Sequence, residues 1–96
     1  MTSKQRAYLK SLAMTLDPIF RVGKASMTPE LTHAIEEALD ARELIKIAVL
    51  QNCADNPKEL AQILAERTRS QVVQVIGKKI VLYKKGKDER EKIKLP

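Results

Sequence analysis

The chain has 96 residues, 44% of them hydrophobic and 3% aromatic, with 18 basic residues against 12 acidic ones and a formal net charge of +6. That length sustains one small core but no substrate cleft between domains, and no apolar run approaches the roughly 20 residues of a membrane span. A single cysteine, Cys53, and a single histidine, His33, exclude an internal disulfide, a metal site built on two or more thiolates, and a histidine pair.

The first element is a helix. Ser3 suits its cap, and Tyr8, Leu9, Leu12, Ala13 and Leu16 recur at spacings of three and four, the period of an amphipathic stripe. Arg6 and Lys10, four apart, fall on a common face away from the centre of that stripe, where they can meet a partner while the helix packs inward. Charges distributed through residues 1–16 are unlike those of a signal peptide, so a cytoplasmic protein is expected. Asp17-Pro18 stops the helix, because proline disfavours helical geometry in the residue before it.

A corner follows. Ile19, Phe20 and Val22 suit a short strand, Gly23 takes backbone conformations that other residues reach only with strain, and Thr28 can cap a helix with Pro29 at its first position and Glu30 in its first turn. A strand, a basic loop with Arg21 and Lys24, and a helix N-terminus in succession make a seat for a phosphate. The helix runs from Pro29 to about Ala41, burying Leu31, Ile35, Ala38 and Leu39, and His33 lies among its polar positions. Leu44 to Leu50 then places Ile45, Ile47 and Val49 on one face, while the other is apolar except for Lys46, as in a central strand covered on both sides.

Asn56, Pro57 and Glu59 mark the start of a third helix with the pattern of a capping box; it ends near Thr68 and buries Leu60, Ile63 and Leu64. Val72 to Ile76 is a β-branched strand, and Gly77-Lys78-Lys79 turns it into Ile80 to Tyr83. From Lys84 to Lys94 the chain is charged throughout, a tail expected to be flexible from about residue 85 except where Ile93 and Leu95 dock. The fold class is therefore α/β: a single two-layer domain over residues 1–96, in the order α-β-α-β-α-β-β, with a mixed four-stranded sheet and a hairpin at its C-terminal end.

The usual catalytic constellations are absent. There is no GxxxxGK or GxGxxG loop, and Cys53 and His33 have no motif around them, so no catalytic residue, metal or cofactor is assigned. The charge distribution points elsewhere. Residues 1–16 hold three basic and no acidic residues, residues 17–66 five and nine, and residues 67–96 ten and three. Basic charge at both ends of the chain makes one positive face if the first helix and the last strands lie side by side, which implies an anionic partner, nucleic acid above all. With Tyr8, Phe20 and Tyr83 as the only aromatics, stacking on a row of sheet aromatics is excluded.

Four stretches carry a resemblance: Lys4-Gln5-Arg6-Ala7-Tyr8-Leu9-Lys10-Ser11-Leu12-Ala13; Val22-Gly23-Lys24 leading to Thr28; Ala38-Leu39 with Arg42-Glu43-Leu44-Ile45-Lys46-Ile47; and Val75-Ile76-Gly77 with Ile80-Val81-Leu82-Tyr83-Lys84. In that order they resemble the CRM family (chloroplast RNA splicing and ribosome maturation), in its stand-alone bacterial YhbY type. The resemblance implies a fold similar to the C-terminal domain of translation initiation factor 3, a GxxG loop likened to that of KH domains, and binding to RNA, with ribosomal RNA in precursors of the large subunit as the partner. The residues expected at that interface are Gly23, Lys24, Ala25 and Ser26 in the loop, with Arg21, Arg6, Lys10, Lys46 and Lys84 around it.

The sequence departs from the family pattern at Ser26, which stands where the second Gly is expected. Serine carries a Cβ and has less backbone freedom, although its hydroxyl can donate to a phosphate. Two functions fit these residues: a monomeric, non-catalytic RNA-binding assembly factor, or a basic interaction protein whose target is DNA or a ribosomal protein surface. Neither requires a membrane or a small-molecule substrate. Phosphate contacts carry no information about base or sugar, so charge alone does not separate the two.

Overall fold

The structure is a computed structural model that describes residues 1–86 and 93–96. Its elements follow the expected order: α1 (Ser3–Ala13), β1 (Phe20–Val22), α2 (Pro29–Arg42), β2 (Leu44–Val49), α3 (Pro57–Thr68), β3 (Gln71–Ile76) and β4 (Lys79–Tyr83). The strands form one mixed sheet in the order β1-β2-β4-β3, with β1 parallel to β2 and the other two pairings antiparallel. β2 is a central strand, as its apolar alternation requires.

Helix boundaries follow local chemistry. Thr28 accepts the Leu31 N–H at 3.1 Å, with Pro29 at the first position of α2, and Asn56 accepts from Lys58 at 2.8 Å to open α3. The cap of α1 is Thr2 instead of Ser3, because Gln5, three residues on, returns a bond to the Thr2 N–H and completes a capping box. α1 also ends at Ala13, short of the expected Leu16. The β3–β4 turn is Gly77-Lys78, with Lys79 already in β4.

Alternation along the strands sends side chains to two cores, one on each face of the sheet. Val22, Ile45, Ile47, Val49, Ile80 and Leu82 meet Ile35 and Leu39 of α2 and Leu60, Ala61, Leu64 and Ala65 of α3. On the other face Leu44, Val73, Val81 and Tyr83 meet Leu9 and Ala13 of α1, with Leu12, Leu16, Ile93 and Leu95 at the margin. The sheet is thus sandwiched between α1 and the α2–α3 pair, which adds a layer to the expected two.

Two apolar residues sit differently from expectation. Tyr8 is 39% exposed, lying about 120° around α1 from the midline of Leu9 and Ala13. Ile63 is 42% exposed, because α3 buries Leu60, Ala61, Leu64, Ala65 and Thr68, a stripe whose centre is about 130° from it. The alanines in that stripe supply little bulk, and leave the helix free to lie close on the sheet.

The far end of the chain is tied down. The Ile93 N–H donates to Glu43 Oε1 at 2.7 Å, and the Gln5 side chain donates to the Pro96 carbonyl at 3.3 Å. Of the tail expected to be flexible, residues 87–92 lie outside the described residues, while Ile93 and Leu95 dock against the α1-side core.

Candidate nucleic-acid interface

The loop between β1 and α2 is built as a turn. The Ser26 N–H donates to the Gly23 carbonyl at 2.9 Å, and the two residues between them, Lys24 and Ala25, are exposed. Both ends of the turn are anchored. On one side Val22 is buried and its carbonyl accepts the Leu50 N–H at 2.8 Å; on the other Met27 packs against the α2–α3 core and Thr28 caps α2.

The connection from β2 to α3 supports this loop from beneath. A Cβ added to Gly23 would stand 3.3 Å from Asn52 Oδ1, tighter than most Cβ contacts, and in ordinary contact with Leu50 Cδ1 at 3.5 Å. Ser26 donates its hydroxyl to Asp55 Oδ2, and the half-buried Cys53 thiol lies 3.9 Å from the same hydroxyl oxygen. The backbone freedom anticipated at Gly23 is used elsewhere: its φ is not positive, whereas Ser26 has φ 54°. Gly23 is therefore suited by the nearness of Asn52, and Ser26 carries the left-handed conformation at the position where the family pattern has glycine. For a residue with a Cβ that conformation costs about 1 to 2 kcal/mol.

The remaining expected residues separate into two groups. Arg21 and Lys46 lie on β1 and β2 on the face that carries α1, opposite Phe20, Val22, Ile45 and Ile47, and Lys10 is exposed on α1. None of these, nor Lys24, is ion-paired among the described residues. Arg6 and Lys84 are engaged within the protein. The Arg6 guanidinium donates to the Val72 and Val73 carbonyls at 2.5 and 3.0 Å, where β3 bulges and frees backbone acceptors on an edge strand. The expectation that Arg6 faces outward is corrected by the true stripe: measured from Leu9 and Ala13, Arg6 lies only about 40° off the midline, on the buried side. Lys84 pairs with Asp40 at 3.2 Å, its side chain 18% exposed, and its N–H donates to the Glu43 carbonyl.

α1 packs against β2, β3 and β4, so the basic first helix and the last strands share one face. The acidic residues Glu30, Glu36, Glu37 and Asp40 belong to α2 on the other side of the sheet. His33, on the same helix, is exposed and 3.2 Å from Glu37. Among the described residues no cluster of three or more His, Cys, Asp or Glu side chains could hold a metal ion.

Sequence reasoning missed Asn52, Asp55 and Glu43 as supports. Asp55 reaches Ser26 across 29 residues and Glu43 reaches Ile93 across 50, separations that leave no periodic signal. Lys79 was also missed; extending the alternation of Ile80, Val81 and Leu82 back by one residue places it on the α1 face.

The family model for the CRS1 / YhbY (CRM) domain matches residues 1–84. The chain is 49% identical over 96 residues to the Bacillus subtilis (strain 168) protein named "Probable RNA-binding protein YqeI", covering all of this chain and 99% of that one. It is 33% identical over 96 residues to a Haemophilus influenzae protein named "RNA-binding protein", covering 95% of its length. The solution structure of the hypothetical protein SAV1595 from Staphylococcus aureus superposes with a TM-score of 0.82 at 49% identity, covering 100% of this chain and 99% of that one.

Proposed function

The chain belongs to the CRS1 / YhbY (CRM) domain family, and on that premise we propose that it is a non-catalytic RNA-binding protein of the cytoplasm that joins precursors of the large ribosomal subunit as a monomer and assists their assembly. One observation carries this reading: an anchored turn that presents Lys24 and Ala25 at the N-terminus of α2, beside the sheet face that bears Arg21 and Lys46. Backbone amides and a cation at a helix start favour a phosphate, and a turn closed by its own Ser26–Gly23 bond and tied to Asp55 loses little conformational entropy on binding one. The relatives' names, "Probable RNA-binding protein YqeI" and "RNA-binding protein", support the same choice of partner.

In this reading Lys24 and Ala25 grip the sugar-phosphate backbone from a turn framed by Gly23 and Ser26, the Ser26 hydroxyl being given to Asp55 instead of a phosphate, and Arg21, Lys46 and Lys10 extend the footprint. Arg6 and Lys84 act from within, holding β3 and the end of β4 in place. The test is sedimentation of the untagged protein from cell extract at low magnesium. Co-migration with large-subunit precursors is expected, and its loss after ribonuclease treatment. Sedimentation with the nucleoid, or as free protein at every magnesium concentration, would overturn the proposal.

A further inference from the structure

The four strands carry three charged residues, Arg21, Lys46 and Lys79, all of them basic. Register places all three on one face. Arg21 is paired with Ala48, Ala48 with Lys79, and Lys79 with Ile76, so these four side chains form a row across the whole sheet. Their strand neighbours Val22, Ile47, Val49, Ile80 and Val75 point into the α2–α3 core, which fixes the row on the opposite side. Lys46 stands in the next row, beside Val81 and Gln74.

α1 does not cover this row. Its contacts with the sheet centre on Leu44, Val73, Val81 and Tyr83, toward the end where β2 begins and β4 finishes. What remains is an open strip at the other end, with Arg21 and Lys79 exposed and Ile76 59% exposed at the edge. Ala48, between the two cations, is small and only 9% exposed, and the Arg21 and Lys79 positions stand about 10 Å apart across it. Toward α1 the strip runs into a cleft of about 380 Å³ whose walls include Ile19, Arg42 and Lys46, with Asp17 among them. At its other end lie Lys78 in the hairpin turn and the loop that bears Lys24.

We infer that a single-stranded RNA segment continues from the Gly23–Ser26 loop along this strip, past Arg21 and Lys46 to two contacts beyond the footprint above, a phosphate on Lys79 and a base over Ile76. Charge complementarity selects the occupant: three cations without an ion-pair partner among the described residues, on strands without a carboxylate, flank small and aliphatic side chains. A strip lined by one arginine and two lysines, with no aromatic exposed on it, tracks a backbone and selects no base, so binding here is tolerant of sequence.

The inference rests on the RNA-binding reading, and the test separates the two. Affinity for a single-stranded oligouridylate and for large-subunit ribosomal RNA is measured across a salt series for the parent, Lys24→Ala, Arg21→Ala/Lys79→Ala, Ile76→Lys and, on α3, Lys58→Ala. Removing two phosphate contacts lowers the salt slope by about 1.5 and weakens binding at least several-fold. Ile76→Lys adds a cation to the row and steepens the slope by about 0.7. Lys58→Ala changes neither. Thermal midpoints stay near the parent's, because Arg21, Ile76 and Lys79 are exposed. If Arg21→Ala/Lys79→Ala binds as the parent does while Lys24→Ala is impaired, RNA binding stands and the strip is not part of it. A parent that binds neither RNA removes both.

Discussion

Ser26 donates its hydroxyl to the carboxylate of Asp55, so the loop that follows β1 is fastened to the connection that follows β2. The bond holds in place a residue with positive φ, and it sets an anion beside the turn proposed to receive another. One contact therefore shapes the turn and opposes its ligand.

Asp55→Asn separates these effects, since the amide oxygen can still accept from Ser26 while the charge is gone. RNA affinity is expected to rise about two- to fivefold at low salt, with the gain shrinking at high salt as exposed charges are screened. Asp55→Ala should loosen the turn and lose that gain. Equal or weaker binding by Asp55→Asn would show that the carboxylate does not oppose the RNA.

At Gly23 the difficulty is proximity. Gly23→Val places its Cβ and methyls against Asn52 and Leu50 and should weaken RNA binding without altering net charge. Removing the Asn52 side chain in the same molecule should restore part of the affinity. Lys24→Ala, by contrast, should reduce the salt slope by about 0.7 and leave the thermal midpoint unchanged. Two variants that bind like the parent would move the interface away from the loop.

Arg6 and Lys10 sit one turn apart on α1 and should behave oppositely. Arg6→Ala strips donors from the Val72 and Val73 carbonyls and is expected to cost about 1.5 to 3 kcal/mol, read as a lower denaturation midpoint. Its salt slope for RNA should match the parent's while it is folded. Lys10→Ala should keep the midpoint and lose part of the slope. A stable Arg6→Ala with reduced slope would return Arg6 to the interface.

The core makes a contrast between two isoleucines. Ile47 is fully buried on the central strand β2, and Ile47→Ala should cost about 2 to 5 kcal/mol. Ile63, 42% exposed on α3, should cost less, about 1 kcal/mol when truncated, because two-fifths of its surface is already in water. Urea denaturation of both variants measures the difference, and equal losses would mean that α3 is rotated from the orientation described.

What the sequence determined by itself was local. Pro29 and Pro57, with Thr28 and Asn56 ahead of them, mark helix starts because the signal is complete within one turn. The apolar alternation of residues 44–50 marks a central strand, and the order of the seven elements follows from such signals. The four ordered motifs likewise carried the family, and the loop Gly23–Ser26 with it. Tertiary structure decided which faces meet. The strand order β1-β2-β4-β3 and the placement of α1 opposite α2 and α3 depend on pairings between distant residues, whose stability comes from burial that no single segment can achieve. Arg6 illustrates the consequence: at its position on the helix it could meet solvent or protein, and the bulge in β3, 66 residues away, supplied the acceptors that turned it inward. Arg21 and Lys79 show the converse. Nothing local relates them, yet with Ala48 between them the sheet register lays both on one open face.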